Sequence, residues 1–152
     1  MPTGDQAFAG LGRTPGLPVG SEVPCVPLAT LAGETKSIPD LVTAPTVVLC
    51  WNPDCGYCRA MHDDVLEWEA SRAPEAPDLR VVSAGTVGDA RAEGFASAVL
   101  LDPDWTAASA LGADGTPMAV RIEPNGRIAS PVVSGATEAF TFLRGRESAA
   151  AS

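Results

Sequence analysis

The side chains with the strongest chemistry in this sequence fall in one short segment. Residues 51–61 read Trp51-Asn52-Pro53-Asp54-Cys55-Gly56-Tyr57-Cys58-Arg59-Ala60-Met61. Two thiols separated by two residues can form and break one disulfide, and the thiolate is the species that attacks a second disulfide. The apolar run Thr46–Trp51 precedes the pair and an amphipathic pattern follows it, so Cys55 is expected at the start of a helix. There the helix dipole and the unpaired backbone N–H groups favour thiolate, which makes Cys55 the expected attacking group. Cys58 shares a helix face with Met61, Val65 and Trp68, the spacing of a core-facing stripe. It is the expected buried thiol, which resolves a mixed disulfide by attacking Cys55. Arg59, Asp63 and Glu67 lie on the opposite, solvated face. Asp54 opposes the dipole, because a neighbouring carboxylate disfavours thiolate.

The same cysteines also carry metal-ligand chemistry. A structural zinc site takes four ligands. Cys55, Cys58 and the only histidine, His62, supply three, and a fourth would have to be Cys25 or Cys50. Cys50 lies inside the apolar run, so the strand–Cys-x-x-Cys–helix context favours redox chemistry over metal, and no metal site is assigned. A c-type haem attachment is excluded, because Arg59 rather than His follows Cys58. His62 reads as half-exposed helix surface. Trp51 is expected to pack beside the dithiol, and Trp105 in the core.

The elements that must position this segment alternate strand and helix. Val23–Leu31 and Thr35–Ile38 read as short strands around Ala32-Gly33-Glu34. Thr46–Trp51 (TVVLCW) reads as a central strand buried on both faces, and a helix runs from about Cys55 to Ser71. Leu79–Ala84 and Val99–Leu101 read as strands, and Val87–Glu93, Asp104–Leu111 and Thr137–Gly145 as helices. Met118–Glu123 and Arg127–Val133 read as a hairpin around Asn125-Gly126, a strong turn signal. The alternation argues for an α/β domain with antiparallel strands added late. Residues 1–20 hold five Gly and three Pro without apolar periodicity and read as a flexible arm. They lack the basic start and apolar run of an export signal. The domain is expected over 21–147, with 148–152 a frayed tail.

Composition narrows the partners. The 152 residues are 45% hydrophobic and 19% charged, enough for one domain with its own core. Acids outnumber bases 19 to 10, for a net charge of −9. Nucleic acid and anionic membrane surfaces both ask for a cationic face, so neither is an expected partner. The longest uncharged apolar stretch, residues 41–53, is 13 residues with two prolines, too short to span a bilayer.

These segments together resemble the thioredoxin-like superfamily, specifically the bacterial TlpA/ResA-type redoxins. The resemblance covers about residues 18–146 and rests on Pro18-Val19-Gly20-Ser21, the 51–58 segment, Gly115-Thr116-Pro117 and Asn125-Gly126-Arg127-Ile128. It implies a thioredoxin-like α/β fold, a central mixed β-sheet flanked by helices with an N-terminal β-hairpin extension. It implies that Pro117 is a cis-proline facing the dithiol, that Thr116 and Pro117 bind substrate, and that Trp51, Pro53, Gly56 and Tyr57 shape the site. A turn entering a strand is a place where a cis X–Pro bond is tolerated. The implied activity is thiol–disulfide exchange with protein disulfides or dithiols, as a reductant. It needs no cofactor beyond the redox-active Cys55–Cys58 disulfide. The implied electron donor is a membrane thiol-reductant, and the implied location is extracytoplasmic.

Three departures qualify the resemblance. Leu49 stands where thioredoxin has a buried Asp. The Gly56-Tyr57 dipeptide and Thr116 before Pro117 are similar to the disulfide isomerase DsbC, which leaves an isomerase or oxidase as the alternative. Cys25 and Cys50 are extra, and read as small buried hydrophobes. A peroxiredoxin, which shares the fold, would need Thr or Ser at Asn52 and Pro at Val48, and both are absent.

Overall fold

The computed structural model of the chain describes residues 16–145. The reading of 1–15 as part of an arm, and of 148–152 as a tail, falls outside them. Residues 16–20, also read as arm, are instead docked on the domain, with Leu17 against the core, Gly20 N–H donating to the Ile128 carbonyl at 2.8 Å and the Gly20 carbonyl accepting from Arg127. In chain order the described elements are β1 (Leu28–Thr30), β2 (Thr35–Lys36), a 3₁₀ turn (Pro39–Leu41), β3 (Thr46–Trp51) and α1 (Gly56–Ser71). There follow β4 (Asp78–Ser83), α2 (Val87–Glu93), β5 (Ala98–Leu101), α3 (Thr106–Ala110), β6 (Met118–Ile122), β7 (Val133–Ser134) and α4 (Ala136–Leu143). The strands form one mixed sheet in the order β2-β1-β5-β4-β3-β6-β7. β3, β4 and β5 run parallel, and the outer pairs are antiparallel. The expected α/β architecture, with an N-terminal β1–β2 hairpin, is the one observed.

β3 is central because every one of its residues is apolar or satisfied, and all six are buried. Its side chains alternate between two cores. Val48 and Cys50 face one core with Ala107, Ala108 and Leu111 of the α3 region. Val47, Leu49 and Trp51 face the other with Cys58, Met61 and Val65 of α1 and Phe142 and Leu143 of α4. Each buried Val or Leu contributes roughly 1.5–3 kcal/mol, so β3 is the most firmly held element that touches the cysteine pair. α1 is anchored by the expected stripe: Cys58, Met61 and Val65 are its buried residues, and Trp68 Nε1 donates to the Leu143 carbonyl at 3.0 Å. Arg59, Asp63 and Glu67 are exposed as expected.

Two segments differ from the sequence reading. The expected strand over 23–31 shrinks to Leu28–Thr30, because Pro24 and Pro27 have no N–H for a ladder. Cys25 is exposed there, not the buried hydrophobe expected. The hairpin turn forms at Asn125-Gly126, where Gly126 adopts φ 82° and its N–H donates to the Glu123 carbonyl at 2.8 Å. Its second strand is interrupted, however. Pairing runs Ile122–Ile128 and resumes at Ala119–Val133, so the returning chain carries two extra residues. At that bulge Ser130 Oγ, not a backbone carbonyl, accepts from the Arg121 N–H at 2.9 Å, next to Pro131.

Candidate active site

The loop between β3 and α1 is held at both ends. The Trp51 carbonyl accepts from Ala84 N–H at 2.9 Å, and Cys55 N–H donates to the Asn52 carbonyl at 3.0 Å. Asn52 Oδ1 also accepts from Asp54 N–H at 2.9 Å, an Asx turn that tightens the loop. Pro53 packs so closely on Gly85 that a Cβ at Gly85 would overlap its Cγ. Cys55 then takes the N-cap position of α1 with extended φ −84° and ψ 124°, and Gly56 is the first helical residue.

Cys55 is half-buried. Burial by itself pushes its pKa up, but hydrogen bonds from the Thr116 side chain, the Cys58 and Tyr57 backbone and the Cys58 thiol outweigh it, and the net pKa lies below the ordinary thiol value. The backbone donors are first-turn N–H groups with no partner inside the helix, the stabilisation expected at this position. Cys55 Sγ in turn donates to the Thr116 carbonyl at 3.4 Å. Asp54 is exposed.

Cys58 is fully buried. Burial pushes its thiol up to about 11, against hydrogen bonds from the Asn52 backbone and the Thr116 side chain that favour thiolate, and with the Cys55 charge opposing it. The two thiols thus sit in opposite environments on one helical turn. Cys50 points to the other core, and burial, followed by the Asp102 and Cys58 charges, raises it to about 12. Leu49, at the place of thioredoxin's Asp, is buried in the same core as Cys58.

Thr116 and Pro117 join the pair from the loop before β6, and their peptide bond is cis. Pro117 is buried and Tyr57 is 77% exposed. A cavity of about 610 Å³ opens beside them, lined by Tyr57, Met61, Thr116, Pro117, Phe140 and Arg144 among others. Trp51 is buried in the core of Cys58, as expected. Of the residues singled out in the sequence, Cys55, Cys58, Thr116, Pro117, Trp51, Pro53, Gly56 and Tyr57 all lie at this end of the sheet.

Sequence reasoning missed one group. Trp51 Nε1 donates to Glu93 Oε2 at 2.8 Å. His62, read as half-exposed helix surface, is partly exposed, with 24% of its side chain accessible, but the bond it makes is not part of that reading. Its Nε2 lies 2.7 Å from the Glu93 carbonyl. Phe95 stands edge-on to both rings, with centroids 5.1 Å from Trp51 and 5.5 Å from His62. The two residues bonded to Glu93 lie 31 and 42 positions from it, so no local pattern announces them. Among the described residues no three His, Cys, Asp or Glu side chains cluster in a way that could hold a metal ion.

No protein-family model matches the chain, and no curated protein matches it by sequence. Solved structures do. The thioredoxin domain of a thiol-disulfide oxidoreductase from Bacteroides vulgatus matches with TM-score 0.66 and 18% identity, over 85% of this chain and 95% of that one. MTB dsbF, in mixed oxidised and reduced forms, matches with TM-score 0.63 and 22% identity, over 78% and 90%. A secreted Mycobacterium tuberculosis disulfide oxidoreductase homologous to E. coli DsbE matches with TM-score 0.59 and 20% identity, over 74% and 84%. With its mixed sheet, its helix opening on Cys-x-x-Cys and the cis proline opposite, the chain has the thioredoxin-like fold.

Proposed function

We propose that the chain is a thiol–disulfide oxidoreductase that reduces protein disulfides through Cys55 and Cys58. The observation that carries this is the asymmetry of the pair: a half-buried N-cap thiol with lowered pKa beside a buried thiol raised to about 11. Cys55 thiolate attacks one sulfur of a client disulfide, and the client's other sulfur leaves as thiolate. Cys58 gives up its proton to the released client thiolate or to solvent and attacks Cys55 Sγ, the Cys55–client bond breaks, and the second client sulfur leaves as thiolate. The client gains two electrons, and the chain is left with a Cys55–Cys58 disulfide. A dithiol donor restores it by the reverse exchange, and a membrane thiol-reductant is the donor class the resemblance implies. The secreted relative supports an extracytoplasmic setting. Among the described residues no helix is long and apolar enough to cross a membrane.

In this reading Thr116 and Pro117 bind the client chain, and the adjoining cavity receives the side chains that flank its cysteine. Trp51, Pro53, Gly56 and Tyr57 hold the loop in shape. The acting unit is residues 21–147, onto which the preceding residues 16–20 are docked, with Leu17 against the core and Gly20 N–H on the Ile128 carbonyl. The alternative, an isomerase or oxidase, is favoured by the Gly56-Tyr57 dipeptide and Thr116. The test is trapping. Incubated with a protein disulfide, Cys58→Ser should accumulate a mixed disulfide on Cys55, and Cys55→Ser should form none and turn over nothing. A Cys58→Ser protein that forms no adduct contradicts the proposal.

A further inference from the structure

Glu93 ends α2, yet both its side chain and its backbone are engaged by the supports of the cysteine pair. Its Oε2 accepts from Trp51 Nε1 at 2.8 Å. Its carbonyl lies 2.7 Å from His62 Nε2, and since a carbonyl only accepts, that nitrogen carries the proton. Trp51 is the last residue of β3, and His62 lies one turn beyond Cys58 on α1. One residue therefore ties the strand that delivers the 52–55 loop to the helix that carries both thiols. Phe95 fills the corner edge-on to both rings. α2 is itself fixed in place, by a capping box between Thr86 and Asp89 at one end and a left-handed Gly94 at the other.

The arrangement is not what packing alone would select. Glu93 Oε1 is buried with no hydrogen-bond partner among the described residues, and an unpaired buried carboxyl oxygen is costly. A cavity of about 400 Å³, lined by Trp51, Pro53, Arg59, His62, Asp89 and Glu93 among others, adjoins the corner, so these side chains have room to shift once the bond is lost. Places where a fold tolerates such a cost are where functional constraints concentrate.

We propose that Glu93 is a positioning residue for the dithiol: by holding Trp51 and His62 together, it keeps Cys55 at the N-cap of α1 against Thr116. This rests on Cys55 and Cys58 being the reactive pair. It makes no use of Glu93 as a proton carrier.

The test is alkylation of the reduced protein by iodoacetamide across pH, followed at Cys55 by peptide mass, with melting recorded in parallel. Glu93→Ala is expected to move the Cys55 profile to higher pH and to slow reaction at neutral pH about threefold to tenfold, because the rate follows the thiolate fraction. Glu93→Gln, whose amide oxygen still accepts from the indole N–H, is expected to restore the profile to within about twofold. Trp51→Phe, which removes the donor, is expected to match Glu93→Ala, and the double variant to add nothing further. A Glu93→Ala protein that melts lower but keeps the wild-type profile overturns the proposal, and so does a Glu93→Gln protein as impaired as Glu93→Ala. Alkylation needs no client. These shifts in a protein that reduces no disulfide would therefore defeat the proposed function and leave the positioning role standing.

Discussion

Cys55 Sγ donates to the Thr116 carbonyl at 3.4 Å, across 61 positions of sequence. This contact joins the N-terminus of α1 to the loop that enters β6, and the Thr116 hydroxyl favours thiolate at Cys55 and at Cys58, with one proton to share between them. The carbonyl stabilises the protonated thiol and the donors stabilise the thiolate. The donors win, since the net pKa of Cys55 is lowered.

Thr116→Val separates the two effects, because it removes the hydroxyl and keeps the carbonyl and the shape. Both thiols should shift upward. A hydrogen bond to a charged group contributes on the order of 1.5 kcal/mol or more, so Cys55 alkylation at neutral pH should slow by about tenfold or more. Peptide-resolved alkylation rates check this, and an unchanged rate would assign the lowered pKa to the helix terminus alone.

The opposed pKa shifts predict a selective pH profile. Cys55 should react below the ordinary thiol range, while Cys58 should stay unreactive until pH approaches about 11. Alkylation of each cysteine across pH, resolved by mass, measures the gap.

The same shifts set alkaline stability. Cys55 has a lowered folded pKa, so its contribution is present above the unfolded thiol value and is lost as pH falls through the folded one. Cys58 and Cys50 are raised to about 11 and about 12. Their contributions are present below the unfolded value, near 8.5, and are lost as pH rises toward 11 and 12. The raised pair dominates, so melting of the reduced protein should fall steadily from about pH 9 upward. A curve that stays flat to about pH 11 would contradict the burial of both thiols.

Phe142→Ala tests the frame apart from the chemistry. Phe142 is 1% exposed in the core beneath α4, with the Arg121 guanidinium 5.3 Å from its ring. Truncation should cost about 3–5 kcal/mol, read by denaturant unfolding. The Cys55 alkylation profile of the folded protein should not move.

What was legible in the sequence was local. TVVLCW announces a strand buried on both faces, and Cys58, Met61 and Val65 announce the inner face of α1, because both periods are written in neighbouring residues. Asn125-Gly126 announces the turn, but the two-residue bulge that follows depends on the Ser130 hydroxyl replacing a ladder acceptor, which no alternation pattern encodes. Pro24 and Pro27 warn against a long first strand, and the apolar residues around them obscure the warning. Thr116 and Pro117 are visible only through a family resemblance. The Glu93 corner is visible through nothing in the sequence, because its bonds link residues from three separate elements.

Cys55 and Cys58 are proposed to act as one reducing dithiol. The most direct test is the reduction potential of the pair, by equilibration with dithiothreitol and glutathione buffers and tryptophan emission. One reducing dithiol gives a single two-electron transition, absent in Cys55→Ser, near the roughly −270 mV of thioredoxin. A potential between roughly −120 and −200 mV, the range of oxidants and isomerases, would contradict the reductant assignment, and the absence of any transition would contradict the dithiol itself.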